Sequence, residues 1–97
     1  MDDHLTRYRR DLDAIDTSLI DILVQRFDLC RRIAEYKREQ QLPMMQPHRV
    51  EHVKQRCAAM AAEYGMDTGF VIRLYTLIID EACRLEDDII DAGREGD

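Results

Sequence analysis

Between Leu5 and Tyr36 the apolar positions of this chain recur in steps of three and four: Leu5, Tyr8, Leu12, Ile15, Leu19, Ile22, Leu29, Ile33 and Tyr36. That spacing lays them along one side of an α-helix, and it predicts a single long helix from about Asp3 to about Gln40. One seam position breaks the series. Arg26 stands between Ile22 and Leu29, where burying an unpaired charge would be strongly unfavourable. A helix keeps such a residue if something anionic meets it there. The pattern therefore predicts a pocket at the level of Arg26 inside a helical bundle, and a ligand that carries carboxylates.

At 1.5 Å per residue the predicted helix is ~55 Å long. A compact globule of this length has a radius of gyration near ~13 Å and is only about 35 Å across. The helix cannot be covered by its own chain, and an intertwined homodimer is the economical solution. In the following stretch Gln41-Leu42-Pro43-Met44-Met45-Gln46, Pro43 removes a donor and restricts Leu42, which predicts a break, with Met44 and Met45 filling the bend. Pro47 suits the first turn of a second helix, predicted from Pro47 to Tyr64. Its stripe is Val50, Val53, Cys57 and Met60, with Ala58, Ala61 and Ala62 allowing close approach, and Gly65 ends it. Asp67 or Thr68 caps a third helix running to about Ala92 through Phe70, Val71, Leu74, Leu77, Ile78, Ala82, Leu85 and Ile89. No alternating strand pattern and no repeat appears. The fold class expected is all-α, three helices per subunit in one domain spanning 1–97, with residues 93–97 a frayed tail.

Composition narrows the partners. The 97 residues carry 35% charged side chains and a net charge of −6, which argues against nucleic acid and anionic membranes. A local cationic pocket in an acidic protein remains compatible with that balance. Cys30, Cys57 and Cys83 are an odd, widely spaced set with no CxxC pair, expected to be buried free thiols of a reducing compartment. No apolar run approaches the ~18–20 residues of a membrane span, and no signal core precedes Leu5, so a cytoplasmic protein is expected.

Geometry then sorts the charged residues. Arg26 and Lys37 are eleven residues apart, about three turns, and project from nearly the same side of the helix ~16 Å apart. Two long side chains can close that gap onto one small dianion. Arg9 lies ~25 Å from Arg26 and about 100° around the axis, so within one chain it cannot share that pocket, although it can reach the equivalent pocket of an antiparallel second copy. Arg49, early in the second helix, is a further candidate, and an arginine grips a carboxylate with a bidentate fork. The competing reading of Arg9, Lys37 and Arg49 is solvated surface charge. Glu86 shares a stripe with Ile79, Ala82, Cys83, Ile89 and Ile90, which leaves two readings: an edge glutamate paired with a neighbouring lysine or arginine, or a carboxyl in a poorly hydrated place, inclined to hold its proton and donate a hydrogen bond. The string His48-Arg49-Val50-Glu51-His52 spells an inverted zinc-peptidase motif, but it is short and no third ligand follows, so neither metal nor cofactor is expected.

Taken together, Arg9, Asp16, Arg26, Lys37, the Pro47–Arg49 entry into the second helix, Asp67 and the Leu77-Ile78-Ile79 run ahead of Glu86 resemble the all-helical chorismate mutases over nearly the whole chain. The resemblance implies three-helix subunits whose long first helices pair in an intertwined dimer. It also implies that an arginine at Arg9 comes from the partner subunit, while Arg26, Arg49 and Lys37 hold the two carboxylates and the ether oxygen of the substrate. Glu86 would hydrogen-bond that ether oxygen, and Gln46, Val50, Ile79 and Ala82 would complete the binding site. The implied reaction is a [3,3] rearrangement of an enol-pyruvyl ether to a prephenate-type product. It needs no nucleophile, metal or proton shuttle, only capture of a folded conformer and stabilisation of charge on the ether oxygen.

Two positions depart from the family pattern. Val50 stands where many chorismate mutases have an acid that accepts from the ring hydroxyl, and Gln46 stands where an aspartate is common. The string Pro43-Met44-Met45-Gln46-Pro47-His48-Arg49-Val50 looks like the relatives that act on 4-amino-4-deoxychorismate in antibiotic pathways. The amino substrate is therefore the favoured expectation, with chorismate as alternative. An isochorismate pyruvate lyase and a non-catalytic helical dimerisation module are the further alternatives.

Overall fold

The computed structural model describes residues 3–43 and 47–95, with side chains described for 3–43 and 48–91. Three helices follow one another: α1 Asp3–Glu39, α2 Pro47–Glu63 and α3 Thr68–Glu95. No strand occurs among the described residues. Met44, Met45 and Gln46, expected at the bend, lie outside them.

The helix ends have identifiable causes. α1 stops because Gln41 adopts a left-handed backbone with φ 58°. The Leu42 amide then donates to the Lys37 carbonyl at 2.8 Å, and the Gln41 amide to Arg38 at 3.3 Å. This paired closure is the Schellman arrangement. The chain thus turns two residues before Pro43, and the proline is not the element that breaks the helix. α2 closes the same way on Gly65 at φ 71°, with Met66 donating to Ala61 at 2.8 Å and Gly65 to Ala62 at 3.1 Å. At the start of α3 the Asp67 carboxylate accepts from the Phe70 amide at 2.8 Å, which makes Asp67 the N-cap. α3 continues through Gly93 to Glu95, so residues 93–95 are helical where fraying was expected. A glycine weakens a helix by about 1 kcal/mol without ending it.

α3 packs on both α1 and α2, whereas α1 and α2 make no close backbone contact with each other among the described residues. Arg26 of α1 faces Tyr75 of α3, and Arg38 donates to the Ile89 carbonyl at 3.1 Å, so α1 and α3 run in the same direction. The core sits between α2 and α3. Val53, Cys57, Ala61 and Val71 are buried, with Tyr75 and Ile79 packed against them. Met60, expected on this stripe, is 41% exposed, and Phe70, Leu74 and Leu77 on α3 are exposed as well.

α1 carries two stripes. Toward α3 it turns Leu23, Phe27, Cys30, Ala34 and Lys37, of which Ala34 is fully buried and the rest half-buried. The regular apolar series from Leu5 to Tyr36 is a different line, and its members stay exposed, Ile15 at 62% and Ile22 at 59%. At 100° per residue the midlines of these stripes near Arg26 lie about 60° and about 50° to its two sides. Arg26 therefore occupies the border. The chain measures 63 Å along its longest axis and its radius of gyration is 17.8 Å, well above the ~13 Å of a compact globule. As the pattern requires, α1 outruns what its own chain can cover.

Candidate functional site

Because α1 and α2 both rest on α3 without touching, a cavity of about 450 Å³ opens between them. α1 lines it with Arg26, Leu29, Cys30, Ile33 and Lys37, about three turns of one face. α2 contributes Arg49, Val50, Val53 and Arg56, at the three-, four- and seven-residue spacing of a single helical side. The floor is Ile79, Ala82, Cys83 and Glu86 of α3. Four cationic side chains thus face one carboxyl across apolar walls. That charge balance suits a small ligand bearing two negative charges and an apolar body.

Arg26 is half-buried, and its guanidinium carbon lies 5.8 Å from the centroid of the Tyr75 ring. Its Nη1 reaches the Cys30 sulfur at 3.8 Å, a weak acceptor. Among the described residues no carboxylate forms an ion pair with it, so most of its five donors are uncommitted. Glu86 is half-buried. Burial pushes its carboxyl above the usual carboxylate range and Asp87 adds to this, while Lys37 and Arg26 pull the other way. Burial wins. The carboxyl accordingly leans toward its protonated form, which can donate to an oxygen in the cavity.

Residues 8–87 match the family model described as chorismate mutase type II. This chain belongs to the type II chorismate mutases. Among its relatives, the 4-amino-4-deoxychorismate mutase of Streptomyces pristinaespiralis is 50% identical over 91 residues, covering 94% of this chain and 70% of the relative. The 4-amino-4-deoxychorismate mutase of Streptomyces venezuelae is 51% identical over 83 residues, covering 86% and 81% respectively. The chorismate mutase of Methanocaldococcus jannaschii is 24% identical over 80 residues, covering 82% of this chain and 81% of the relative.

In this mutase-family chain the cavity gathers Arg26, Lys37, Arg49, Val50, Ile79, Ala82 and Glu86 from the residues singled out in the sequence. Arg9 is exposed near the far end of α1 and takes no part in it. Gln46 lies outside the described residues. Three features were not anticipated. Arg56 lines the cavity one α2 repeat beyond Arg49, and the seven-residue spacing was the available signal. Cys30 and Cys83 face the cavity half-buried, and only Cys57 is the buried core residue expected of all three. Burial pushes both cavity thiols up, so they stay protonated and are poor nucleophiles. Tyr75, beneath Arg26, carries no chemical signature in the sequence. The zinc-like string resolves into exposed His48, Glu51 and His52, and no cluster of three metal-binding side chains forms among the described residues.

Proposed function

We propose that this chain catalyses the [3,3] rearrangement of 4-amino-4-deoxychorismate to 4-amino-4-deoxyprephenate. The observation that carries this reading is one cavity lined by Arg26, Lys37 and Arg49 together with the half-buried carboxyl of Glu86, which burial pushes above the usual carboxylate range. Arg26 and Arg49 bind the two carboxylates and fold the enol-pyruvyl arm over the ring, converting a rare conformer into the bound one. The ether carbon–oxygen bond breaks as the new carbon–carbon bond forms, all within one molecule. Charge that grows on the ether oxygen is met by Lys37 and by the proton on Glu86. The amino preference is supported by the names of the two relatives near 50% identity and by Val50 and Ala82, neither of which offers an acceptor for a ring hydroxyl.

The active unit in this proposal is a homodimer. Nine apolar residues of the α1 series, Leu5 through Tyr36, are exposed in the single chain, more than a soluble surface leaves uncovered without a partner. An antiparallel copy seated there brings its own Arg9 to the cavity as a further carboxylate clamp. Light scattering at micromolar concentration tests this, and a monomer that still turns over substrate would overturn it.

The decisive assay offers the protein chorismate and 4-amino-4-deoxychorismate separately, follows loss of the diene absorbance, and identifies each product. Higher kcat/KM for rearrangement of the amino compound is expected. Preference for chorismate would overturn the substrate assignment alone. Release of pyruvate would make the chain a lyase, and no turnover of either compound would leave it a dimerisation module.

A further inference from the structure

The cavity needs Arg26 aimed into it, yet among the described residues α1 meets its guanidinium only through the Cys30 sulfur. Arginine is long and rich in rotamers, and the Cys30 sulfur at 3.8 Å is a weak anchor. α2, whose residues line the opposite wall, makes no close backbone contact with α1 among the described residues. The connection runs through α3. Tyr75 packs on the buried cluster Val53, Cys57, Ala61 and Val71. Its ring is thereby held against that core, with the guanidinium of Arg26 over it at 5.8 Å. A cation prefers the electron-rich face of an aromatic ring, and a planar guanidinium on such a face keeps its edge donors available to a third party.

We propose that Tyr75 is a positioning residue for Arg26, its ring transmitting the order of the α2–α3 core to the guanidinium that receives the substrate's carboxylate. This deepens the proposed function and rests on it for the identity of the ligand, though the placement of the side chain is testable without turnover. Tyr75 itself stays clear of the substrate. Removing the ring makes Arg26 mobile, so binding weakens while the chemical step, served by Lys37 and Glu86, is little changed. A residue that merely filled the core would instead lower stability without selecting KM.

The first test is spectroscopic and uses the unaltered protein. The Arg26 Cδ- and Nε-linked protons should show the upfield ring-current shift of a group above an aromatic face, with Nε–H relaxation as ordered as the backbone. Tyr75→Phe should keep both signatures. Tyr75→Leu, or Tyr75→Met if the leucine variant does not fold, should abolish both. Kinetics supply the second arm. Tyr75→Leu should raise KM roughly tenfold with kcat within about twofold, and Tyr75→Phe should restore KM. In an Arg26→Ala background Tyr75→Leu should add nothing further, because the two act as one unit. An unshifted, mobile Arg26 in the unaltered protein overturns the proposal, as does a KM effect of Tyr75→Leu that persists without Arg26. Absence of turnover in the unaltered protein would instead refute the proposed function, leaving the spectroscopic arm to decide the role of Tyr75.

Discussion

Replacing Glu86 by glutamine separates a proton-donating carboxyl from a merely polar one. In the cavity, burial raises the Glu86 carboxyl above its ordinary range, against the pull of Lys37 and Arg26. If the neutral acid is the form that meets the ether oxygen, kcat/KM is highest below its pKa and falls as pH rises through it. A single titrating group gives a tenfold loss per pH unit above that point. The fall ends on a plateau where Lys37 acts alone. Losing one donor aimed at a developing oxyanion is worth about 10²–10³ in rate, so the plateau should lie that far below the maximum. An amide donates at every pH. Glu86→Gln should therefore hold the low-pH rate and show a flat profile where the parent declines.

The same group makes an independent prediction for stability. Its folded pKa is raised above the unfolded value, so its contribution to folding is fully present below the unfolded pKa and is lost as pH rises through the folded one. Urea midpoints of the parent, compared with those of Glu86→Gln, should show that pH dependence only in the parent. A parent kcat/KM that is constant from about pH 5 to about pH 9 would refute the role, and so would a glutamine variant that kept the decline.

Three further outcomes follow from named contacts. Arg26→Ala should lower kcat/KM by about 100-fold or more, the cost of deleting one side of a desolvated charge pair, while light scattering finds the association state unchanged. Gln41→Gly should raise the denaturant midpoint by the equivalent of about 0.5–1 kcal/mol, because the φ 58° backbone that closes α1 is strained for any residue with a Cβ. Asp67→Ala should cost about 1 kcal/mol by thermal or urea unfolding, since the Phe70 amide loses its 2.8 Å partner.

The legible parts of this chain were those written as periodicity. Three helices, the Asp67 cap and the Gly65 stop are local features, and each emerges within a residue or so of where the pattern puts it, except that α3 runs on to Glu95, three residues past its expected end. The end of α1 was less legible. A proline is a visible breaker, whereas nothing in Gln41 announces a left-handed backbone, which is set here by the paired closure on Lys37 and Arg38. The cavity followed the same division. Arg26, Lys37 and Glu86 could be placed by counting turns on their own helices. Arg56 was open to the same counting through its seven-residue spacing from Arg49, whereas Tyr75 was not, because its importance comes from what another helix brings opposite it.

Arg26 is where these two kinds of information meet. One stripe of α1, from Leu23 to Lys37, is taken up by packing on α3, and the other, from Leu5 to Tyr36, stays largely exposed among the described residues. A purely apolar residue at their border would satisfy both stripes and leave no site. An arginine there is half-buried by its own chain, lies over the Tyr75 ring, and lines the gap between α1 and α2. A second copy docked on the uncovered stripe, as proposed, closes the side of the gap nearest that guanidinium and thins its hydration. Association then strengthens the very charge–charge contact on which binding depends, since the same ion pair is worth more where less water screens it. On this argument the kcat/KM of the dimer exceeds that of any forced monomer even when Arg9 has been removed from both. A charged substitution in the seam far from the cavity, Ile15→Glu, combined with Arg9→Ala, should lose activity beyond Arg9→Ala alone. Equal activities in the two variants would show that the seam serves cohesion only.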